Sequence, residues 1–478
     1  MGRTPRNHAS RPSGFAARLI IGLITIFSFA VEAGAQWLTG WDYRKEITID
    51  GSVIAGTGTL TDFPVLIRLT DANLAAGALT NGHDIVFTNS DATSLLHHEL
   101  ESYTSGTGDL VAWVQVTLTG ATDKTIYMYY GNTSSGDPDA DDESTWDSNY
   151  ELIYHMEGTP DATSNNRDAT SGGTPTTVTG MIGSATDFDG GASGSTGNDF
   201  FDTNYLGNLN SWTISAWVFG DAAPISSNGD APVISGESNF NLGWNHGGGF
   251  LGEVYFKHAV DSWEGVAYTP LSGSTWYHLT GTYNSATGVL TAYRDGQPIN
   301  TLGLSTGGHE TEDRTITIAR NAGDHTGDKN EWLGAIIDEV RISSIARSAD
   351  WIETEYNNQF NPSTGGFIKT LGAQTLACSI AAGTIASDDT PIFSGGTATL
   401  TLSGYDGAAT LQWQSSSDNS SWSPIGGATS ASYTTPALSA DTYYRVAVTN
   451  SCTNYSSSFL INVEPTFLGG GYLFRKKL

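Results

Sequence analysis

Leu110-Val-Ala-Trp-Val-Gln-Val-Thr-Leu118 is the stretch of this 478-residue chain that speaks most directly about its fold. It is built from β-branched, aromatic and aliphatic residues, with Gln115 and Thr117 set alternately among apolar neighbours, the mark of a strand with one solvated face. Working outward, Lys45-Glu-Ile-Thr-Ile49, Phe63-Pro-Val-Leu-Ile-Arg-Leu69 and Thr125-Ile-Tyr-Met-Tyr-Tyr130 have the same texture. Between such runs lie clusters of Gly, Asn, Asp and Thr, the residues of turns. One helix is predicted: Ser348 supplies an N-cap, Ala349 to Tyr356 follow, and Ile352 and Tyr356 stand i,i+4 on one face. No fixed-period repeat of a solenoid or propeller is present. The expectation is an all-β chain of β-sandwiches.

Charged residues make up 15% of the chain and aromatics 11%, a balance opposite to that of a disordered protein. The 21 Lys+Arg face 50 Asp+Glu, giving −29. Arg3, Arg6, Arg11 and Arg18 precede an uncharged, mostly apolar stretch from Leu19 to Val31, and Ala33-Gly34-Ala35 follows. That order is the plan of a secretory signal peptide cleaved between Ala35 and Gln36, and the stretch is too short to span a bilayer. Cleavage removes those four arginines and Glu32, leaving 17 basic against 49 acidic residues, or −32. A field of that sign repels phosphate backbones and argues against nucleic acid as a partner. The remaining length suits three domains in tandem, with changes of texture near 36–148, 149–374 and 375–465 and a tail at 466–478 too short to span a membrane.

Three resemblances follow this division. Trp41-Asp-Tyr-Arg-Lys-Glu-Ile-Thr-Ile49, Thr61-Asp-Phe-Pro-Val-Leu-Ile67 and Ile126-Tyr-Met-Tyr-Tyr-Gly-Asn132 resemble a bacterial exported family of uncharacterised function that precedes laminin-G-like domains. Asp161-Ala-Thr-Ser-Asn-Asn-Arg-Asp168, Trp212-Thr-Ile-Ser-Ala-Trp-Val218, Trp276-Tyr-His-Leu-Thr-Gly-Thr-Tyr283, Tyr293-Arg-Asp-Gly296 and Gly334-Ala-Ile-Ile-Asp-Glu-Val-Arg-Ile342 occur in the order seen in concanavalin A-like, laminin-G-like jelly rolls. Leu411-Gln-Trp413, Tyr433 and Thr442-Tyr-Tyr-Arg-Val446 resemble bacterial Ig-like modules. Cys378 and Cys452, the only cysteines, flank that last module; in an exported protein a disulfide between them would staple its ends.

Four candidate chemistries arise. Strand alternation places Ile336, Asp338, Val340 and Ile342 on one face and Ile337, Glu339 and Arg341 on the other, so Asp338 is expected as a carboxylate on an apolar face. The laminin-G-like resemblance implies a Ca²⁺ site for it, with loop donors Asp161, Asn165 and Asn166; the alternative is an acid that accepts backbone N–H groups without metal. Asn241-Leu-Gly-Trp244-Asn-His246 and Asp261-Ser-Trp263-Glu264 mix aromatic rings with amides and acids in glycine-rich surroundings, and Trp244, His246, Trp263 and Glu264 are the predicted ligand-binding residues. His97, Glu99 and Glu101 share a strand face but lack a completing histidine or H-E-x-x-H, so that face reads as solvated surface, and His278 reads as structural. The acidic run Asp137–Glu143 has Asp142 and Ser148 where an EF-hand needs Gly and Glu, and reads as a linker.

No E-x-D-x-x-E run, G-x-S-x-G elbow or P-loop is present, so catalysis is not expected. The functional expectation is an extracellular or cell-surface protein that recognises glycan or protein through the central domain. A structural envelope component, or a non-catalytic accessory of polysaccharide breakdown, are the alternatives.

Overall fold

The computed structural model describes residues 37–465, apart from 93, 135–142, 190–198, 222–229, 238, 247–249, 259–261, 307–313, 323–330, 378–379 and 451. The signal segment, the tail, Cys378 and residues 137–142 of the acidic run therefore lie outside the described residues. The fold is all-β as expected, with only two α-helices, Ala72–Gly77 and Ala349–Phe360, among them. Ser348 does cap the second, its hydroxyl accepting from Trp351 N. The first was missed: Asp71 caps it, its carboxylate accepting from Asn73 N and Leu74 N. No described helix is long and apolar enough to cross a membrane.

The chain forms two compact units, and residues 35–379 make up one of them. Within it the first module is a sandwich. Strands Thr59–Thr70, Asp109–Thr119 and His98–Thr104 form a three-stranded sheet, and Tyr43–Ile49 lies in a six-stranded one beside Lys124–Tyr130. Trp113, Phe63, Val65, Phe87 and Ile126 are buried between them. Its sheet closes late in the chain: Ile368–Leu371 and Thr375–Leu376 both pair antiparallel with Tyr43–Ile49, Tyr43 opposite Leu376 and Ile47 opposite Leu371. The boundary expected at 374 thus falls just before a strand of the first module, and the jelly roll is an insertion between two parts of one sheet.

The inserted jelly roll packs an eight-stranded sheet on a seven-stranded one. Trp212, Ile214, Phe240, Leu242, Val254, Phe256, Tyr283 and Ile318 fill the space between. The outer face of the eight-stranded sheet is covered rather than solvated. Helix Ala349–Phe360 lies against it, and the Gln359 carboxamide accepts from Trp217 Nε1. The same helix reaches the first module, where the Asn358 side chain accepts from Leu66 N and donates to Leu66 O as a neighbouring strand would. Leu152 and Tyr154 enter the jelly-roll core, while Ile153 and Ile182 join the core of the first module. The two cores thus share one strand.

His278 sits on this covered face, 5.1 Å from the Trp217 ring and 6.3 Å from Tyr356. Burial, with Arg341 nearby, pushes its pKa down to about 3. The unfolded chain therefore binds a proton between pH ~6.5 and 3 that the folded chain does not, and stability falls as pH drops through that window. His278→Gln is expected to flatten this fall, by up to ~1.4 kcal/mol per pH unit. Urea titrations of both proteins at a series of pH values check it; parallel curves contradict the assignment.

The second unit, residues 380–465, is a smaller sandwich. Sheets built on Thr410–Ser416 with Thr442–Thr449, and on Ala382–Ser387 with Thr399–Tyr405, enclose Trp413. Tyr433 lies between the Trp413 ring at 5.7 Å and the Tyr444 ring at 6.0 Å. Cys452 is disulfide-bonded; Cys378, the one other cysteine of the chain, is outside the described residues.

Candidate functional site

Two places gather chemistry-bearing side chains. The first is the outer face of the seven-stranded sheet. Val254 and Phe256 of strand Phe250–His258 point into the core, so Glu253 and Tyr255 point outward. Gly265 of the neighbouring strand leaves room for them: a Cβ there would lie 2.9 Å from both Glu253 Oε1 and Tyr255 Cβ. Trp263, on the sheet's edge strand, stands 5.8 Å from the Tyr255 ring and keeps 45% of its surface exposed. Asp230, Glu253 and Glu237 surround the Tyr255 phenol; burial and their charges raise its pKa well above 10. Asn321 Nδ2 donates to Asp230 Oδ2 at 3.3 Å. Farther along the sheet, the Arg320 guanidinium lies 3.6 Å over Phe200 and 5.5 Å from Trp332. The exposed indole, set over the buried Tyr255 with carboxylates and an amide nearby, offers a flat apolar face to a ligand.

The predicted ligand residues separate here. Trp263 belongs to this face. Glu264, the next residue on the strand, points to the other side. Trp244 is only 4% exposed and is a core residue: Gly220 lies so close to its ring that a Cβ there would meet Cζ2 at 2.2 Å. Its prediction as a contact residue is corrected by that packing. The His246 side chain lies outside the described residues. Glu253 and Tyr255 were missed, although the alternation in Glu-Val-Tyr-Phe from 253 to 256 carries the signal. Asp230 and Asn321 come from distant strands' ends and had none.

The second place is the seam between the modules. Glu339 has φ +50°, and strand Ala335–Ser343 slips register there: Trp217 faces Asp338 while Ser215 faces Arg341. This bulge inverts the alternation, so Ala335, Ile337, Val340 and Ile342 all enter the jelly-roll core. Asp338, Glu339 and Arg341 meet the first module instead. The expected sharing of one face by Asp338, Val340 and Ile342 is therefore corrected. Asp338 Oδ2 accepts from Ile182 N at 2.9 Å, while Oδ1 is buried with no hydrogen-bond partner. Burial and the Glu339 charge raise its pKa well above the usual carboxylate range.

The predicted calcium ligands of the loop are engaged with the protein itself. Asp161 Oδ1 accepts from Ile153 N and Thr163 N, and its Oδ2 accepts from Thr163 Oγ1 and Arg167 N. Asn165 donates to Tyr150 O and Glu151 O, and Asn166 donates to Ser164 O. The loop's groups hold the loop.

Glu99 and Glu101, expected on a solvated face, turn into this seam, with side-chain exposures of 15% and 3%. Glu101 Oε2 accepts from Trp113 Nε1 and Glu99 Oε2 from Trp146 Nε1, both at 2.8 Å. The histidine that the local sequence lacks is His155, whose Nδ1 lies 2.7 Å from Glu339 Oε1 and 3.6 Å from Glu101 Oε2. Its ring stacks on Trp113 at 5.8 Å. Arg341 donates to Glu339 Oε2 at 2.7 Å and to Glu355 Oε1 at 2.8 Å, and its guanidinium lies 4.4 Å from the Trp113 ring centre. Burial pushes Glu101 up to about 7. Burial would lower the His155 pKa, but Glu339 and Glu99 outweigh it and hold the imidazolium well above 6.5.

Three family models match the chain. The concanavalin A-like lectin/glucanases superfamily matches residues 189–353. A domain of unknown function, DUF2341, matches 81–171, and a second, DUF8696, matches 381–465. The chain thus matches three family models in tandem, the central one that of the concanavalin A-like lectin/glucanases superfamily. A search of curated proteins finds no match. Among solved structures, domain 4 of an extracellular arabinanase from Geobacillus stearothermophilus, in complex with arabinotriose, is 16% identical. That alignment covers 43% of this chain and 97% of that one, with a TM-score of 0.35. The binding domain of botulinum neurotoxin DC in complex with SialylT is 13% identical over 64% and 72%, TM-score 0.33. The binding domain of Paraclostridial mosquitocidal protein 1 is 11% identical over 63% and 75%, TM-score 0.35. At these scores the likenesses bear on neither ligand nor mechanism.

Proposed function

We propose that this is an exported, cell-surface or secreted recognition protein that binds glycan on the outer face of the seven-stranded sheet. The observation that carries the reading is Trp263, a large exposed indole set against Tyr255, with Glu253 beyond Tyr255 on the same strand and Asp230 near the Tyr255 phenol. Isolated exposed apolar residues are common, but an exposed tryptophan beside convergent polar groups on a lectin-type sheet suits a sugar ring. The 380–465 sandwich serves as a presenting module in this reading.

The test is a glycan array probed with the mature chain, followed by titration of the best ligand. Trp263→Ala is expected to weaken binding by about 2 kcal/mol, some thirtyfold, as a central aromatic contact does. Glu264→Gln, on the opposite side of the same strand, should leave affinity unchanged. A wild-type chain that retains no glycan, or a Trp263→Ala variant with full affinity, rejects the proposal.

A further inference from the structure

We propose that Glu101, His155 and Glu339 bind one divalent first-row transition cation at the seam between the first module and the jelly roll. Among the described residues this is the grouping of His, Cys, Asp and Glu whose ligand atoms all lie within 4.8 Å of one another. Glu101 comes from strand His98–Thr104, His155 directly follows strand Tyr150–Tyr154, and Glu339 sits in the bulge of Ala335–Ser343. Three rigid strands from two modules thus aim a nitrogen and two carboxylates at one point.

Glu339 Oε1 lies 2.7 Å and Glu101 Oε2 3.6 Å from His155 Nδ1. Both carboxylates are also held from the protein side, Glu339 Oε2 accepting from Arg341 and Glu101 Oε2 from Trp113. His155 Nε2 lies 3.3 Å from Glu99 Oε1, and Glu99 is itself fixed by Trp146 Nε1. A carboxylate behind the far nitrogen of an imidazole, itself fixed by a hydrogen bond, is the support that orients histidine ligands of metals. Glu101 Oε1, by contrast, is buried with no hydrogen-bond partner, on a side chain 3% exposed.

Charge favours the same conclusion. Glu99, Glu101, Asp338, Glu339 and Glu355 are packed about Arg341 and His155, an excess of acid in a water-poor place. Buried charge of one sign needs compensation, and a divalent cation supplies two positive charges where the His155 proton supplies one. An imidazole with two carboxylates suits Zn²⁺ and its neighbours, whereas Ca²⁺ and Mg²⁺ take oxygen alone.

The experiment uses the untagged mature chain, stripped with chelator, dialysed against ZnCl₂ and washed, with bound metal measured by mass spectrometry and affinity by calorimetry. One equivalent of Zn²⁺ is expected, retained in the presence of excess Ca²⁺ and Mg²⁺, with a rise in melting temperature. Glu101→Gln keeps the side-chain shape and can still accept from Trp113, and should lower affinity at least a hundredfold. Glu99→Gln, behind the ligand, should lower it by about 10–100-fold. A stripped wild-type chain that takes up no stoichiometric Zn²⁺ overturns the proposal outright. So does a folded Glu101→Gln chain that binds Zn²⁺ as tightly as wild type. If Glu101→Gln does not fold, the decision passes to Glu99→Gln, whose unchanged affinity would equally overturn it.

Discussion

Expressed alone, residues 149–374 are expected to be insoluble or unfolded, whereas 36–377 should fold as a cooperative unit. The shorter fragment contains the entire inserted jelly roll, yet its eight-stranded sheet depends on the first module for cover. Cutting at 149 uncovers Ile153, Ile182 and Trp351, which are buried in the core shared with Phe63, Val65 and Trp113. Each fully buried apolar side chain of this size stabilises by about 1.5–3 kcal/mol, so three together rival the whole stability of an ordinary domain. The cut also removes Trp113, Glu99 and Glu101 from around Arg341 and His155. The complementary fragment, 36–148, loses strands Ile368–Leu371 and Thr375–Leu376 and exposes the edge of Tyr43–Ile49. Circular dichroism and limited proteolysis of the three fragments decide the matter. An isolated 149–374 fragment with a sharp thermal transition near that of 36–377 would show the modules to be independent.

Arg341→Met should lower the stability of the same unit by about 3–5 kcal/mol, a melting shift on the order of 10 °C. The guanidinium bridges Glu339 and Glu355, all three being buried, and lies over the rings of Trp113 and Trp146. Methionine fills much of the volume but leaves two carboxylates without their partner. The informative control is the triple variant Arg341→Met, Glu339→Gln, Glu355→Gln, which removes the stranded charges. Recovery of at least half the lost stability, in protein freed of metal by chelator, identifies unpaired charge as the cause. A triple variant as unstable as the single one would point to lost packing over the tryptophans instead.

Much of the fold could be read from short-range pattern. Leu110–Leu118 lies within strand Asp109–Thr119, and the Ser348 cap starts a helix that runs on to Phe360. Both rest on periodicities a few residues long. The features that escaped are those decided at long range. Ile-Ile-Asp-Glu-Val-Arg-Ile from 336 to 342 alternates plausibly in either phase, and only the bulge opposite Ala216 selects which residues face the core. Glu101 and His155 belong to different modules, and their meeting depends on how the two sheets stack. Trp244 and Trp263 sit in similar polar, glycine-bearing contexts; the neighbour Gly220 takes one ring into the core and the edge strand leaves the other in solvent. Composition reports that tryptophans are present, not which way each side chain points.

The closure of the first module by Tyr43–Leu376 pairing also sets a clock on its assembly. Ile49 has no strand on that edge until Ile368 has been made, 319 residues later. At translation rates of about 5–20 residues per second, that interval is roughly 15–60 s. Through it, the nascent chain must hold an open sheet edge while an entire jelly roll is synthesised downstream. The module encoded first is thus completed only after the domain inserted into it, and its edge has no native partner until that domain has been made.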